Sequence, residues 1–360
     1  MTGRDGARAL EIGKNSLFAA TAPDRHCYYY GFYYPPGPDE PGARPIATRT
    51  LGDLLRALRG DEFDIVVLYP HRRAPWSPDT IGRVLARSRV IHLPSLALQA
   101  WGSHFGRLAR NKPVVVVDFD DSSRLPSHWL PLLRKATLIF KRELPVDHWA
   151  TFTGIKHRDL PSTRFRARSP LAPVVAKLRP ISLGVPKASE AIAARLTGVE
   201  KTTDVFFAGS LKNWGTVRER GAAQLRRLAD EGVRVEIPDR ILPLDEFLAR
   251  CAAAWLVWSP QGLGWDCFRH YEAAACGAVP VINNPTIERH RPLMHGTHCL
   301  YYDVEDDGLL RTIRAALADK DRLRAMGEAA RAHVAAHHTL ATLGRHVMDE
   351  TLAAYAAARR

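Results

Sequence analysis

The chain has 360 residues, more than one ordinary domain of about 100–200 residues requires, so we expect two domains. Hydrophobic residues make up 46% and charged residues 25%, a composition that excludes a disordered or fibrous chain. The five cysteines include no CxxC pair, which argues against a disulfide framework or a zinc knuckle. The sequence shows neither a secretory signal nor an apolar run of about 18 residues, so we expect a cytoplasmic protein.

Short β-rich runs alternate with amphipathic stretches along the first half, the pattern of a parallel α/β domain. We predict helices at 52–60 and 96–110. The tyrosine-rich run at 26–40 either forms a β-hairpin packed on the core or presents rings that stack on a sugar or a base. The predicted strands of this half are 64–70, 89–94, 113–121 and 136–140.

The second half repeats the alternation and then becomes helical after residue 305. Proline and glycine interrupt the pattern at 177–189, where we place the domain boundary. We predict strands at 203–209, 233–238, 253–259 and 278–283, with helices starting near Thr216, Leu244 and Asp266. The sequence therefore predicts a Rossmann-like doubly wound domain at 1–180, a second at 181–340 and a C-terminal helix at 341–360, with the binding loops of both domains facing a shared cleft.

Charge is distributed unevenly between the two halves. Residues 1–180 hold 28 Lys and Arg against 16 Asp and Glu, a net of +12, whereas the remainder holds 23 against 22, a net of +1. A basic half attracts nucleic acid, a phospholipid surface or a polyanionic substrate, although plain solubility is the alternative explanation. The run 156–179 has seven basic residues and one acid, and its prolines predict a surface loop.

The most informative stretch is SPQGLGWDCFRHYEAAACGAVPVINN at 259–284. A strand leads into a loop with Gly262 and Gly264, where the backbone can approach a ligand, and the next helix turns its free N–H groups toward an anion. Arg269 and Glu272 share one face of that helix. Arg269 is suited to phosphate oxygens and Glu272 to ribose hydroxyls. A surface salt bridge is the alternative, but the preceding strand and glycine loop favour a nucleotide site.

The segment GLGWDCFRHYEAAACGAVPVI (262–282) resembles the donor-site motif of glycosyltransferases with the GT-B fold. It is most similar to glycosyltransferase family 1 proteins of the CgeB-like and exostosin-like kind. TDVFFAGSLKNWGTVRERG (203–221) resembles the opening strand and glycine loop of the same family's second domain. The resemblance implies a GT-B fold, in which the C-terminal helix crosses back to the first domain.

The same resemblance implies that the second domain binds a nucleotide-diphosphate sugar donor and the first domain binds the acceptor. Carried over by position, Glu272 contacts the ribose and Arg269, with Lys212 or Arg218, contacts the diphosphate. The backbone at Gly209 and Ser210, like the glycines of the 259–266 loop, approaches the donor.

One position departs from the pattern of retaining GT-B enzymes. Many of them carry a glutamate eight residues before the ribose-binding one, but Gly264 stands there and Asp266 is out of register. The stereochemical outcome is therefore open, with inversion favoured. The second domain has no metal-binding DxD motif, so we expect no metal and no cofactor, with fixed positive charge stabilising the leaving group.

An inverting enzyme needs a base for the acceptor proton. Asp118, Asp120 and Asp121 stand at the carboxyl end of a predicted strand, where such sheets bind ligands; Asp120 is the favoured base, and a turn-capping role is the alternative. On the acceptor side, His104 is a weaker candidate that could instead be a partly buried structural histidine. Lys141 and Arg142 face either the cleft or solvent.

The leading hypothesis is a metal-independent, hexosyltransferase-like glycosyltransferase that acts in surface glycan or glycoconjugate synthesis. Its acceptor would be a glycan, a lipid-linked intermediate or another small molecule, and peripheral association with the inner face of the membrane stays open. The alternatives are a catalytically idle GT-B scaffold and a protein that binds or modifies nucleic acid. No nucleic-acid-binding motif is evident, so no nucleic acid partner is expected.

Overall fold

A computed structural model describes residues 6–31, 42–87, 93–152, 169–211 and 216–360. Their contacts divide the chain into two compact units. The first comprises the described residues up to Phe119, Ser123–Ile181 and Gly344–Arg360. The second comprises Asp120–Ser122 and Ser182–Leu343. Both units are α/β, each built on one parallel sheet.

The sheet of the first unit has seven strands among the described residues, in the order β3-β2-β1-β4-β5-β6-β7. All its pairings are parallel. Its central strands are buried on both faces, which explains why they read as continuous Val- and Ile-rich runs. The strands are β1 (Ala9–Gly13), β2 (His26–Tyr30), β3 (Arg44–Pro45), β4 (Ile65–Tyr69), β5 (Val114–Asp118), β6 (Leu138–Lys141) and β7 (Leu178–Pro180).

Helices join these strands and cover the sheet. The longest, α2, is strongly amphipathic and buries Leu54 and Leu58 in the core of the unit. The helices are α1 (Phe18–Thr21), α2 (Thr48–Arg59), α3 (Pro78–Arg87), α4 (Leu93–Trp101), α5 (Leu130–Lys135) and α6 (Ala172–Val175).

The second unit has a five-stranded parallel sheet in the order β12-β11-β10-β8-β9. Its strands are β8 (Thr203–Phe206), β9 (Val235–Glu236), β10 (Ala254–Trp258), β11 (Val279–Asn283) and β12 (Leu300–Tyr302). Its helices are α7 (Lys187–Ala193), α8 (Thr216–Asp230), α9 (Leu244–Ala253), α10 (Phe268–Ala275), α11 (Gly308–Leu317) and α12 (Lys320–His337). A last helix, α13 (Leu340–Ala357), follows.

The predicted hairpin in the tyrosine-rich run is wrong for the residues that the structure describes. His26–Tyr30 forms one strand that pairs in parallel with Ala9–Gly13. This partner strand was missed because its sequence, ALEIG, lacks the β-branched run that marks the others. Residues 32–41 lie outside the described part of the chain.

Two further predictions need correction. The helix predicted at 96–110 ends at Trp101, where Gly102 takes a φ of 40°, and a 3-10 segment continues over Gly102–Leu108. The strand predicted at 89–94 falls mostly outside the described residues, and Leu93 begins α4 instead. The short strand β12 was also missed.

Candidate functional site

The glycine loop after β10 is held in place by the end of the neighbouring strand. Asn283, the last residue of β11, accepts a hydrogen bond from the backbone N–H of Gln261 at 2.9 Å. Its side-chain amide donates back to Oε1 of Gln261 at 3.2 Å. Because β10 and β11 are parallel neighbours, their carboxyl ends meet at one sheet edge, which is where such sheets bind ligands.

A buried histidine joins this loop to the start of α10. His270 Nδ1 lies 2.7 Å from Ser259 Oγ, and its Nε2 lies 2.9 Å from the carbonyl of Trp265. The Trp265 indole donates in turn to the carbonyl of Asn283 at 3.0 Å. Both ring nitrogens are therefore engaged, and His270 links Ser259 at the end of β10 to Trp265 in the loop.

Arg269 presents unsatisfied hydrogen-bond donors beside this loop. Its guanidinium lies over the ring of Phe207, 5.1 Å from the centroid. Its Nε and Nη1 are buried and have no hydrogen-bond partner among the described residues. Buried N–H donors without partners are costly, and an anion is the kind of group that would satisfy these two.

Gly209, just after β8, makes room for that guanidinium. A Cβ atom at this position would lie 2.7 Å from Nη2 of Arg269, closer than non-bonded atoms can approach. Any other residue at position 209 would therefore move Arg269. Gly209 is thus closely packed against Arg269 of α10, and its expected backbone approach to a donor stays a prediction.

Glu272 lies one turn further along α10 and is 8% exposed. Ser189 Oγ donates a hydrogen bond to its Oε1 at 2.8 Å. Burial raises the pKa of Glu272, while the Ser189 hydroxyl and the charge of Arg269 partly oppose that shift. Within the described residues no ion pair joins Glu272 to Arg269, so the surface salt bridge considered from the sequence does not form.

Arg218 connects the loops after β8 and β10. It is 5% exposed; its Nε donates to the carbonyl of Gln261 at 3.0 Å and its Nη1 to the carbonyl of Ser210 at 2.8 Å. These bonds position two loops with one side chain. Gly262 lies against the same guanidinium, since a Cβ there would be 3.2 Å from Nη2. The other expected cation, Lys212, lies outside the described residues.

The remaining loop residues have structural contacts. Gly264 is buried, and its carbonyl accepts the N–H of Gly262 at 2.9 Å. Asp266 is 3% exposed and accepts from the backbone of Leu183 at 2.8 Å and from the Tyr271 hydroxyl at 2.6 Å.

Four residues of this site were missed from the sequence: Ser189, Trp265, His270 and Asn283. Their hydrogen-bond partners lie up to 83 positions away in the sequence. Only Asn283 carries a local signal, as a polar residue at the carboxyl end of a buried strand.

In the first unit, Asp118 forms a buried ion pair with Lys141. The two are register partners at the ends of β5 and β6, and Lys141 Nζ donates to Oδ2 at 2.8 Å. Burial acts to raise the pKa of Asp118, but the charge and hydrogen bond of Lys141, with Arg72 3.9 Å away, lower it overall. Both side chains of the pair are fully buried, so the solvent-facing alternative for Lys141 is wrong.

The residues after β5 are less enclosed. Asp120 is half-buried and Asp121 is exposed. Arg142 is 5% exposed and donates from Nη1 to the carbonyl of Phe119 at 2.8 Å. Arg142 therefore holds the backbone beside the aspartates and does not face solvent.

His104 belongs to an aromatic cluster in the first unit. Its ring centroid lies 5.9 Å from that of Trp101, 6.2 Å from that of Trp76 and 5.9 Å from that of His128. Burial, and to a lesser degree the charges of His128 and Arg107, lower the pKa of His104 to about 4. It lines a small cavity at the carboxyl ends of β1 and β4, together with Gly13, Lys14, Tyr69, His71 and Trp101.

A search of the described residues found no group of three or more His, Cys, Asp or Glu placed to hold a metal ion. None of the described helices combines the length and the apolar character needed to cross a bilayer.

Comparison with known proteins follows the geometry of the second unit. Residues 259–349 match a family model described as glycosyl transferase-like. This segment begins at Ser259 and includes Arg269, Glu272 and Asn283. No curated protein matches the chain.

Solved structures share the fold over nearly the whole chain. HepE from Anabaena, solved in complex with UDP, matches with a TM-score of 0.53 and 13% identity, covering 96% of this chain and 99% of that one. An α,α-trehalose-phosphate synthase (UDP-forming) from Burkholderia vietnamiensis matches with a TM-score of 0.54 and 10% identity, covering 96% of this chain and 100% of that one. Sucrose-phosphate synthase from Thermosynechococcus elongatus matches with a TM-score of 0.51 and 14% identity, covering 97% of this chain and 99% of that one. At these identities the likeness establishes the fold, and the predicted GT-B fold is confirmed.

Proposed function

From a glycosyl transferase-like segment carried on a GT-B fold, we propose that this protein moves a sugar from a nucleotide-diphosphate donor to an acceptor hydroxyl. The observation that carries the proposal is the Arg269 guanidinium, whose Nε and Nη1 are buried without a partner in the described part of the chain. UDP is the nucleotide in the solved complex of HepE, which makes UDP-sugars the first donors to test.

Arg269 would bind the diphosphate of the donor. Guanidinium–phosphate pairs are charge-assisted and often bidentate, so they are strong and directional. The leaving group of a glycosyl transfer is a nucleoside diphosphate that gains negative charge as the glycosidic bond breaks. A fixed cation in a largely buried setting stabilises that charge without reorganising at the moment of reaction.

Glu272 would accept hydrogen bonds from the ribose hydroxyls. Ser189 occupies one carboxylate oxygen and orients the group, which leaves acceptor capacity for the ligand. Gly209 and Ser210 would bring backbone to the donor, while Arg218 fixes the loops that carry Ser210 and Gln261. Gly262 and Gly264 would give the loop its close approach, and Lys212 remains a proposed phosphate contact.

The transfer would proceed without a metal ion, because Arg269 and its neighbours supply the positive charge. For the acceptor proton we favour Asp120 as the base, with Asp121 as the second choice. Asp118 is the least suited of the three, since its ion pair with Lys141 lowers its pKa and occupies its oxygen.

The acceptor would bind the first unit. Support comes from the cavity lined by His71, Trp101 and His104 and from the net charge of +12 over residues 1–180. That charge favours an anionic or lipid-linked glycan acceptor and peripheral contact with an anionic membrane. Cosedimentation with vesicles containing anionic lipid, at low and at high salt, tests the membrane contact.

The donor proposal is tested by the Glu272→Ala variant. Sugar transfer, or donor hydrolysis in the absence of acceptor, is measured across a panel of nucleotide sugars with EDTA present. We expect both activities to be lost while the circular dichroism spectrum and the melting temperature show a folded protein. Undiminished activity in a folded Glu272→Ala variant would refute the assignment.

A further inference from the structure

A second basic site lies in the second unit, beside the amino ends of the strands whose carboxyl ends lie near Arg269. A cavity of about 410 Å³ opens beside the amino ends of β8, β10 and β11. Lys201 precedes β8, Ala252 precedes β10 and Gly277 precedes β11. The Arg269 site lies at the carboxyl ends of the same strands, so the cavity is not part of it.

Three cations line this cavity: Lys201, Arg324 and Arg331. The Nε of Arg331 is buried and has no hydrogen-bond partner within the described residues. Its guanidinium packs on Gly277, where a Cβ would lie 2.6 Å from Nη2. Arg331 thus repeats, at the other edge of the sheet, the arrangement of Arg269 on Gly209.

Lys201 lies on the floor of the cavity. Its ammonium donates to the carbonyls of Ala254 at 2.8 Å and Gly277 at 3.0 Å, which uses two of its three donors. Burial, followed by the charges of Arg331 and Arg324, lowers its pKa to about 8.

Two carboxylates, Glu200 and Glu328, also line the cavity. Neither forms an ion pair with the three cations in the part of the chain that the structure describes, although Glu328 lies one helical turn from Arg324 and from Arg331 on α12. Arg324 instead stacks on the indole of Trp255, with Cζ 5.5 Å from the ring. The charge of these cations is therefore available to a ligand.

We propose that this cavity binds the phosphate group of a small molecule, as an anion site separate from the donor site. The guanidinium of Arg331 supplies an unsatisfied donor at Nε, the Lys201 ammonium supplies the N–H that its two carbonyl partners leave over, and Arg324 supplies charge at the rim. Guanidinium and ammonium groups that converge in this way match the several oxygens of a phosphate. The cavity, at about 410 Å³, is large enough for a phosphorylated metabolite.

The experiment uses inorganic phosphate as the probe, with thermal unfolding measured at constant ionic strength against chloride. The Arg269→Met background removes the other expected phosphate contact, so the result does not depend on the donor assignment. We expect phosphate to raise the melting temperature of Arg269→Met as it does that of the parent protein. A phosphate shift that disappears in Arg269→Met, or no shift in the parent, would overturn the proposal.

Two variants locate the site, and a third serves as a matched control. Arg331→Met and Arg324→Gln, each in the Arg269→Met background, should weaken phosphate binding about tenfold, since each removes a charged contact. Arg322→Met removes an exposed arginine of the same helix that does not line this cavity and should leave the affinity unchanged. If Arg331→Met does not fold, the phosphate affinity of Arg324→Gln decides whether the cavity is the binding site. Equal affinity in Arg324→Gln and Arg322→Met would contradict the assignment.

Discussion

At the scale of single residues, spacing located Arg269 and Glu272 of the proposed donor site but could not supply their partners. Arg269 and Glu272 are three apart on one helix, which the sequence shows directly. That Glu272 bonds to Ser189, and not to Arg269, depends on a contact across 83 positions. Local pattern carries no information about such a contact, so Ser189 became visible only in the folded chain.

A first prediction concerns the space that Gly209 leaves for Arg269. In Gly209→Ala the new methyl group would lie 2.7 Å from Nη2, so the guanidinium must move while the fold remains. We expect nucleoside diphosphate affinity, measured by calorimetry, to fall about tenfold, as for a lost charge-assisted contact. Stability should change by no more than about 0.5 kcal/mol.

The control for this prediction is Gly82→Ala, where nothing lies within 4 Å of the added methyl group. It should bind the nucleotide as the parent does. Parental affinity in Gly209→Ala would show that the close packing of Arg269 on residue 209 has no role in binding.

A second prediction follows from the raised pKa of Glu272. Because the pKa of Glu272 is higher in the folded chain than in the unfolded chain, the folded state binds the carboxyl proton more tightly. The stability that this proton contributes is fully present below the unfolded-state pKa and is lost as pH rises through the folded-state pKa. Glu272→Gln keeps an oxygen for the Ser189 hydroxyl and removes the buried charge. At pH 7 it should melt at a higher temperature than the parent and bind nucleotide more weakly, and the difference in melting temperature should shrink at acidic pH.

Thermal unfolding between pH 4 and pH 8 measures this effect, with nucleotide titration alongside. A Glu272→Gln protein that melts below the parent at pH 7 would mean that the carboxylate stabilises the fold.

At the scale of helices and strands, composition predicted most of the buried interior strands but missed β1, which lies inside the first sheet, and β12, which lies at the edge of the second. Runs such as VVVVD and IVVLY are nearly continuous in branched residues because parallel strands are covered on both faces. The strands ALEIG and LYY lack that signature, and their pairing is set by neighbours distant in sequence. Without β1 in view, the tyrosine run suggests either a β-hairpin or rings that stack on a sugar or a base.

A third prediction contrasts two helical glycines. Gly221 of α8 packs against Trp258, and an added Cβ would lie 2.1 Å from the indole, whereas nothing lies within 4 Å of one added at Gly52 of α2. Overpacking typically costs about 1–3 kcal/mol, so Gly221→Ala should lower the free energy of unfolding by at least that amount. Gly52→Ala should raise it by about 0.5–1 kcal/mol, because alanine is the better helix former.

Urea unfolding of both variants measures the contrast. Equal stabilities would mean that α8 can move away from β10 at no cost, contrary to the packing seen here.

At the scale of the whole molecule, alternating strands and helices predicted two α/β units, and the motif at 262–282 predicted which architecture they form. The fold match and the family match confirm that prediction. Composition could not specify the acceptor, because it does not reveal which residues of separate segments come together, as those lining the cavity in the first unit do. Net charge indicates only the sign of a partner, and acceptor-specific contacts lie in loops that vary on a fixed scaffold.

The most direct test of the central claim is calorimetric titration of UDP, GDP, ADP, TDP and CMP into the parent protein, Arg269→Met and the control Arg322→Met, in EDTA. We expect one nucleoside diphosphate to bind the parent and Arg322→Met equally, and Arg269→Met at least about tenfold more weakly, as for a lost guanidinium–phosphate contact. Equal affinity in Arg269→Met, or no binding by the parent, would contradict a donor site built around Arg269.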